Sequence, residues 1–131
     1  MSALAPNATD VRVRSGPLVG AVLGRVVGML AARAQCPIDR LDDALLLTDA
    51  VAAHAPAHTN DSHVRVLVRA GEDGLELRVG SLNPDGARAL LRDAELPGVG
   101  NVFERVADEV HAGAARDGDG DELILRLRFA A

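Results

Sequence analysis

Apolar residues recur at two different periods along the chain, and these periods predict its helices and strands. A helical spacing predicts one helix from about Pro17 to Ala34 and a second from Asp39 to Pro56. Alternation of apolar and polar residues is typical of strands, and the loop Gly71–Gly74 joins two of them into a predicted hairpin. The four predicted strands are Asp10–Arg14, Val64–Ala70, Leu75–Gly80 and Leu123–Phe129.

Two further stretches are predicted to be helical. Asn83 is expected to cap a short helix that begins at Pro84. A third long helix is expected from Asn101 to His111, because valines at helical spacing form one apolar stripe. That stripe consists of Val102, Val106 and Val110. Residues 1–9 lack either pattern and are expected to be a loose N-terminus.

The order strand, helix, helix, hairpin, loop, helix and strand predicts an α/β fold. The expected architecture is a two-layer sandwich in which helices cover one face of a mixed, mainly antiparallel sheet. A length of 131 residues fits a single domain, residues 1–131. With 48% hydrophobic and 25% charged residues, the composition is that of an ordinary globular protein.

Composition and charge exclude several classes of function. All 14 basic residues are arginine, so chemistry that needs a P-loop lysine or a Schiff-base lysine is unavailable. A net charge of -5 and only two aromatic residues, Phe103 and Phe129, disfavour nucleic-acid binding. The first helix is short for a bilayer span and contains Arg25, so no membrane insertion is expected. Cys36 is alone and no signal peptide is recognisable, which indicates a cytoplasmic protein.

Individual polar residues leave alternatives open. Asp49 lies among apolar residues of the second helix, and either faces solvent or reaches into a polar site. A glycine row in the first helix, Gly20, Gly24 and Gly28, indicates either close packing within the chain or a subunit interface. No metal site is expected, since Pro56 separates His54 from His58 and no zinc spacing occurs. The acidic stretch from Asp117 to Glu122 is interpreted as a solvated turn, because it lacks the pattern of a calcium loop.

The second helix and two loops together resemble a known family. In DALLLTDAVAAHA an acid, Asp49, is followed four residues later by Ala53, and the loop Gly98-Val99-Gly100 precedes a predicted helix. On these residues and on the order of its elements, the chain resembles the histidine-kinase-like (GHKL) ATPase superfamily. Within that superfamily it is similar to the small bacterial anti-sigma-factor serine kinases. The resemblance covers Val11 to Phe129.

The resemblance assigns roles to particular positions. Asp49 falls on the family's acid, which activates water or the phosphoryl acceptor, and Ala53 falls on the asparagine that holds magnesium. After the hairpin the family has Asp-x-Gly, whose aspartate binds adenine, and Ser81 and Asn83 stand at those places. Asn83 can supply the left-handed backbone that the family's glycine provides.

Gly98 and Gly100 match the second glycine box of the family. The scaffold and this box therefore match, whereas the magnesium-binding asparagine and the adenine-binding aspartate are replaced. These departures make Asp49 a vestigial base and the surrounding positions a vestigial nucleotide pocket. No cofactor is expected. ATP with magnesium would bind under the alternative hypothesis, in which the chain is an active enzyme.

The resemblance implies a regulatory protein of the anti-sigma-factor type that acts by protein binding with little or no ATP turnover. Its partner would be a sigma factor or an anti-anti-sigma protein, and the family pattern implies a homodimer. The alternative is an active, ATP-binding anti-sigma serine kinase. A third possibility is a dimeric structural module that binds neither nucleotide nor sigma factor.

Overall fold

The structure is a computed structural model that describes residues 7–59, 61–116, 118 and 120–130. Two long helices, α1 and α2, precede a one-turn 3-10 helix at Ala55–His58, and two short helices, α3 and α4, follow later. The helices are α1 Val19–Arg33, α2 Ile38–His54, α3 Gly86–Asp93 and α4 Val102–Val106. The strands are β1 Ala8–Arg14, β2 His63–Ala70, β3 Gly74–Leu82, β4 Glu95–Leu96, β5 Gly100–Asn101, β6 Glu109–Ala114 and β7 Asp121–Arg128.

Five of the strands form one sheet in the order β1-β2-β3-β7-β6, and β4 pairs with β5 in a separate small ladder. The predicted α/β fold, with helices packed against a sheet, is confirmed. The sheet was expected to be mixed and mainly antiparallel. All four pairings of the large sheet are antiparallel, so it contains no parallel pair among the described strands. The predicted hairpin is β2–β3, and the predicted last strand is β7.

The core lies between the covered face of the sheet and the helices. Alternation along each strand directs side chains such as Val66, Leu77 and Leu125 into this layer, where they are almost fully buried. Leu23 and Leu47 meet them from α1 and α2. Within the described part of the chain, no helix is long and apolar enough to cross a bilayer.

The predicted helix from Asn101 to His111 is wrong in its second half. The helix ends at Val106, and Ala107 adopts an extended backbone (φ -76°, ψ 146°). Val110 lies in β6 opposite Leu125, where its backbone is paired across the ladder. Val102, Val106 and Val110 fit a helical period, but Val110 and Ala112 fit the period of a strand as well. Pairing with β7 decides between the two.

Other predicted boundaries also differ from the structure. Asn83 does not cap α3; Asp85 holds the N-cap position, and Asn83 instead accepts a backbone hydrogen bond from Gly86 (2.6 Å). The loose N-terminus is shorter than expected, because β1 already begins at Ala8. Residues 1–6 lie outside the described part, as do Asp117 and Asp119 of the acidic turn.

Arg40 joins the start of α2 to the end of the sheet. Its Nε donates to the backbone oxygen of Arg128 (2.8 Å), and its Nη2 donates to Asp108 Oδ2 (2.7 Å). A third bond runs from Nη1 to Asp43 Oδ2 (2.8 Å) within α2. Because Asp108 precedes β6, this one guanidinium fixes α2 against both β6 and β7.

Two glycines of β3 give a matched test of the sheet packing. A Cβ added at Gly74 would lie 2.3 Å from the backbone oxygen of Leu127, whereas one added at Gly80 would meet nothing within 4 Å. We expect Gly74→Ala to lower the free energy of unfolding by about 2 kcal/mol or more, because backbone atoms must shift. Gly80→Ala should change the free energy of unfolding by less than about 1 kcal/mol, because the added Cβ meets no other atom within 4 Å.

Urea unfolding followed by circular dichroism measures both variants. Equal stability of the two variants would contradict the close approach of β7 to Gly74.

Candidate functional site

The outer surface of α2 carries the two positions that the resemblance assigns to phosphate chemistry. Asp49 and Ala53 are both exposed, one turn apart on the same side of the helix. The opposite side is buried and includes Leu47, Thr48 and Val51. Of the two alternatives for Asp49, the structure therefore favours the solvent-facing one.

The end of β3 contains the positions that correspond to the adenine-binding motif. The pairing of β3 with β7 shifts register between Val79 and Leu82, and within this bulge Ser81 takes a left-handed backbone (φ 56°). Positive φ also occurs at Asp85 (φ 61°) but not at Asn83. The left-handed backbone expected at Asn83 is thus found at Ser81 and Asp85 instead, two residues before and two residues after Asn83. Bulges of this kind redirect the strand that carries them.

The segment after the bulge is held tightly against the 3-10 turn that follows α2. The backbone N–H of Asn83 donates to the oxygen of His58 (2.8 Å). A Cβ added at Gly86 would lie 3.1 Å from Leu82 Cβ and 3.2 Å from the His58 oxygen. His58 Nε2 lies 2.5 Å from Asp93 Oδ2, which ties α3 to the same turn. The segment from Leu82 to Gly86 therefore packs directly against the 3-10 turn.

The glycine loop is a small hairpin that is joined to the start of α4 by side-chain hydrogen bonds. Gly98 and Gly100 both have positive φ (77° and 100°), as glycine readily allows. The guanidinium of Arg105 donates to the backbone oxygen of Val99. Asn101 Oδ1 accepts from the N–H of Phe103 (3.0 Å) and thereby caps α4. These bonds hold the loop in place through the protein's own groups.

The predicted site residues are brought together only in part. Asp49 and Ala53 share the outer face of α2, and the loop with Gly98 and Gly100 leads into α4, which packs against α2. Ser81, however, lines a groove on the opposite, open face of the sheet. The sheet therefore separates Ser81 from Asp49.

That groove encloses about 140 Å³ on the face of the sheet opposite α1 and α2. Arg65 and Arg78 line it together with Asp10 and Glu122, so charges of both signs are present. Arg65 Nη2 bonds to Asp10 Oδ2 (2.8 Å), and Arg78 Nε bonds to Glu76 Oε2 (3.3 Å). Each arginine thus has an acidic neighbour on the surface, which reduces its attraction for an external anion.

Glu76 is the centre of the charge network on this open face. Arg126 Nε donates to Glu76 Oε1 (2.8 Å), and Arg126 Nη1 donates to Glu109 Oε1 (3.2 Å). Burial raises the pKa of Glu76, but the hydrogen bond from Arg126 and the charges of Arg78, Arg126 and Arg69 outweigh it. The pKa of Glu76 is lowered below its ordinary value of 4.5 as a result.

Sequence reasoning did not identify this network. The signal was the row of charged residues at alternate positions of the strands, but which residues meet depends on strand order and register. Among the described residues, no three histidine, cysteine or acidic side chains are grouped so that they could hold a metal ion.

Comparison with models of protein families and with curated proteins finds no match to this chain. The likeness to histidine-kinase-like ATPases therefore rests on the residues quoted above and on the order of the elements.

The lowered pKa of Glu76 predicts a pH-dependent contribution to stability. Because the folded pKa lies below the unfolded one, the stabilisation is present above about pH 4.5 and is lost as the pH falls through the folded pKa. Glu76→Gln should lower the free energy of unfolding by about 1–2 kcal/mol at pH 7.

The difference between Glu76→Gln and the parent chain should shrink as the pH falls below 4.5. Urea unfolding at pH 7 and pH 3 measures this, with Glu72→Gln in the exposed hairpin loop as the control. A difference that is the same at both pH values would contradict an ionised, paired Glu76.

Proposed function

We propose that this chain is a cytoplasmic regulatory protein of the anti-sigma-factor type, which acts by binding a protein and turns over little or no ATP. Its partner would be a sigma factor or an anti-anti-sigma protein. The observation that carries the proposal is the separation of Asp49 from Ser81 by the sheet. A nucleotide that contacted both positions would have to pass through the core.

The chemistry of the remaining positions supports the same proposal. Magnesium prefers oxygen ligands in octahedral geometry, and Ala53 offers a methyl group where the resembled family places an amide oxygen. His54 is the next residue, but it lies about 100° further round the helix, and its nitrogen is a poor ligand for magnesium. Asp49 alone cannot transfer a phosphoryl group, because a base has nothing to act on without a positioned metal and phosphate.

The outer face of α2 is better suited to a protein than to a nucleotide. Leu46 lies one turn before Asp49 and Ala50 and is 51% exposed. With Ala53 one turn further on, these residues give the helix a short apolar strip that the carboxylates of Asp42 and Asp49 flank. Apolar side chains on an exposed helix face are typical of surfaces that bind another protein.

Binding assays with purified candidate sigma factors and anti-anti-sigma proteins test the proposal. We expect one of them to bind in EDTA without nucleotide, and Asp49→Ala to bind equally well. Leu46→Asp should weaken the complex at least about tenfold, because it places a charge in the apolar strip. Leu96→Asp, at a similarly exposed apolar position in β4, outside α2, is the control and should leave binding unchanged.

Two outcomes would contradict the proposal. A complex that forms only with MgATP, or transfer of labelled phosphate to the partner that disappears in Asp49→Ala, would identify an active kinase. Failure of every candidate sigma factor and anti-anti-sigma protein to bind would leave the chain without the proposed function.

A further inference from the structure

The groove on the open face of the sheet is present because Gly80 has no side chain. Gly80 lies opposite Arg65 of β2, and a Cβ added to Gly80 would meet no other atom within 4 Å. Alternation along β3 puts Gly80 on the same face as Arg78, and the register shift that follows interrupts the pairing of β3 with β7. The result is a depression of about 140 Å³ between the side chains of neighbouring strands.

Glu122 contributes an unpaired carboxylate to this groove. It lies on β7 beside the bulge of β3, and it is half-buried. Among the described residues, the side chain of Glu122 has no hydrogen-bond partner and no ion pair. A carboxylate in such a position has lost part of its hydration without gaining a protein donor. An ammonium group in the groove would supply the missing donor.

Arg78 directs hydrogen-bond donors into the same groove. Its Nε donates to Glu76 Oε2 (3.3 Å), whereas its two terminal nitrogens form no hydrogen bond to a described residue. The side chain is only 25% exposed, so its surroundings restrict its motion. The two terminal nitrogens of a guanidinium match the two oxygens of a carboxylate and bind them in parallel.

Arg78 and Glu122 are near one another but do not pair directly. Arg78 lies opposite Ile124 in the ladder of β3 with β7, and Glu122 is two residues from Ile124 on the same strand. Diagonal neighbours of this kind lie about 7–8 Å apart. This separation leaves room for one small molecule between the guanidinium and the carboxylate.

We infer that the groove binds a small zwitterion, an α-amino acid with a short side chain. The carboxylate of the ligand accepts from the terminal nitrogens of Arg78, and its ammonium group donates to Glu122. A simple anion gains less, because Arg65 and Arg78 already have acidic neighbours and Glu122 repels it. The inference does not depend on the proposed function.

The size and the lining of the groove limit the side chain of the ligand. A cavity of about 150 Å³ holds a molecule the size of benzene, and alanine is about as large. Leu67 and Ala115 line the groove and provide apolar contacts for a methyl group. Because the groove is open to solvent, its charged contacts are only partly desolvated, and a dissociation constant on the order of 1 mM is expected.

NMR titration of isotope-labelled protein with L-alanine and with two fragments of it tests the site. We expect saturable amide shifts at Gly80, Ser81 and Glu122, with a dissociation constant for L-alanine on the order of 1 mM. Propionate lacks the ammonium group, and ethylamine lacks the carboxylate. Each fragment should therefore bind at least about tenfold more weakly than L-alanine.

A cycle of ligand and protein changes identifies the partner of the ammonium group. Glu122→Gln should weaken the binding of L-alanine at least about tenfold, to the level of propionate. The same variant should not weaken the binding of propionate, because propionate has no ammonium group for Glu122 to accept from. Glu72→Gln, in the exposed hairpin loop, is the control and should bind L-alanine like the parent chain.

Filling the groove provides a second, independent variant. Gly80→Leu should abolish the binding of L-alanine, because the new side chain occupies the space that the ligand needs. Gly24→Leu in α1, where an added Cβ also meets no atom within 4 Å, is the matched control and should bind normally. Circular dichroism checks that both variants are folded.

Several results would overturn the inference. One is the absence of saturable shifts in the groove up to about 50 mM L-alanine. Another is equal affinity of the parent chain for L-alanine and for either fragment. Unchanged binding of L-alanine by Glu122→Gln, or by folded Gly80→Leu, would likewise show that the ligand does not occupy this groove.

Discussion

The burial of one apolar face of the sheet beneath α1 and α2 is the contact on which the rest of the structure depends. Val66, Leu77 and Leu125 come from three adjacent strands and are almost completely removed from solvent. Each fully buried side chain of this kind stabilises the fold by about 1.5–3 kcal/mol. Because strand side chains alternate, the same register that buries these residues places Glu76, Arg78 and Arg126 on the open face. The apolar core and the charge network therefore depend on the same strand register.

Much of this fold could be predicted from the sequence because its periods are strong. Charged residues occupy most of the alternate positions of β2, β3 and β7, and the loop Gly71–Gly74 fixes the hairpin. The helices α1 and α2 are long enough for their period to be unambiguous. The stretch around Val106 and Val110 was mispredicted because it is compatible with both periods, and its outcome depends on pairing with a strand that follows later in the chain.

The candidate site was less predictable, because it depends on where distant segments meet. The family resemblance placed Asp49 and Ser81 in one nucleotide pocket. The sequence could not indicate that the bulge between Val79 and Leu82 turns Ser81 toward the open face of the sheet. Nor could it indicate that the His58 backbone oxygen bonds to Asn83. Both features arise from packing between elements that are separated in the chain. Local motifs carry no information about them.

A scaffold and the chemistry that it supports are separate properties of a protein. The structure has an antiparallel sheet, two covering helices and a glycine hairpin, whereas the positions that the resemblance assigns to a metal and to adenine carry other residues and lie on opposite sides of the sheet. What remains on the helical surface is an apolar strip around Leu46. A protein partner needs such a surface and does not need a pocket.

The central claim is that Asp49, Ser81 and the glycine loop do not form one nucleotide site. Titration of isotope-labelled protein with MgATP, followed by amide NMR shifts, tests this claim most directly. We expect no saturable shifts shared by Asp49, Ser81 and Gly98 up to millimolar MgATP. Saturable shifts at all three with one micromolar dissociation constant would contradict it, because a single ligand would then contact both faces that the sheet separates here.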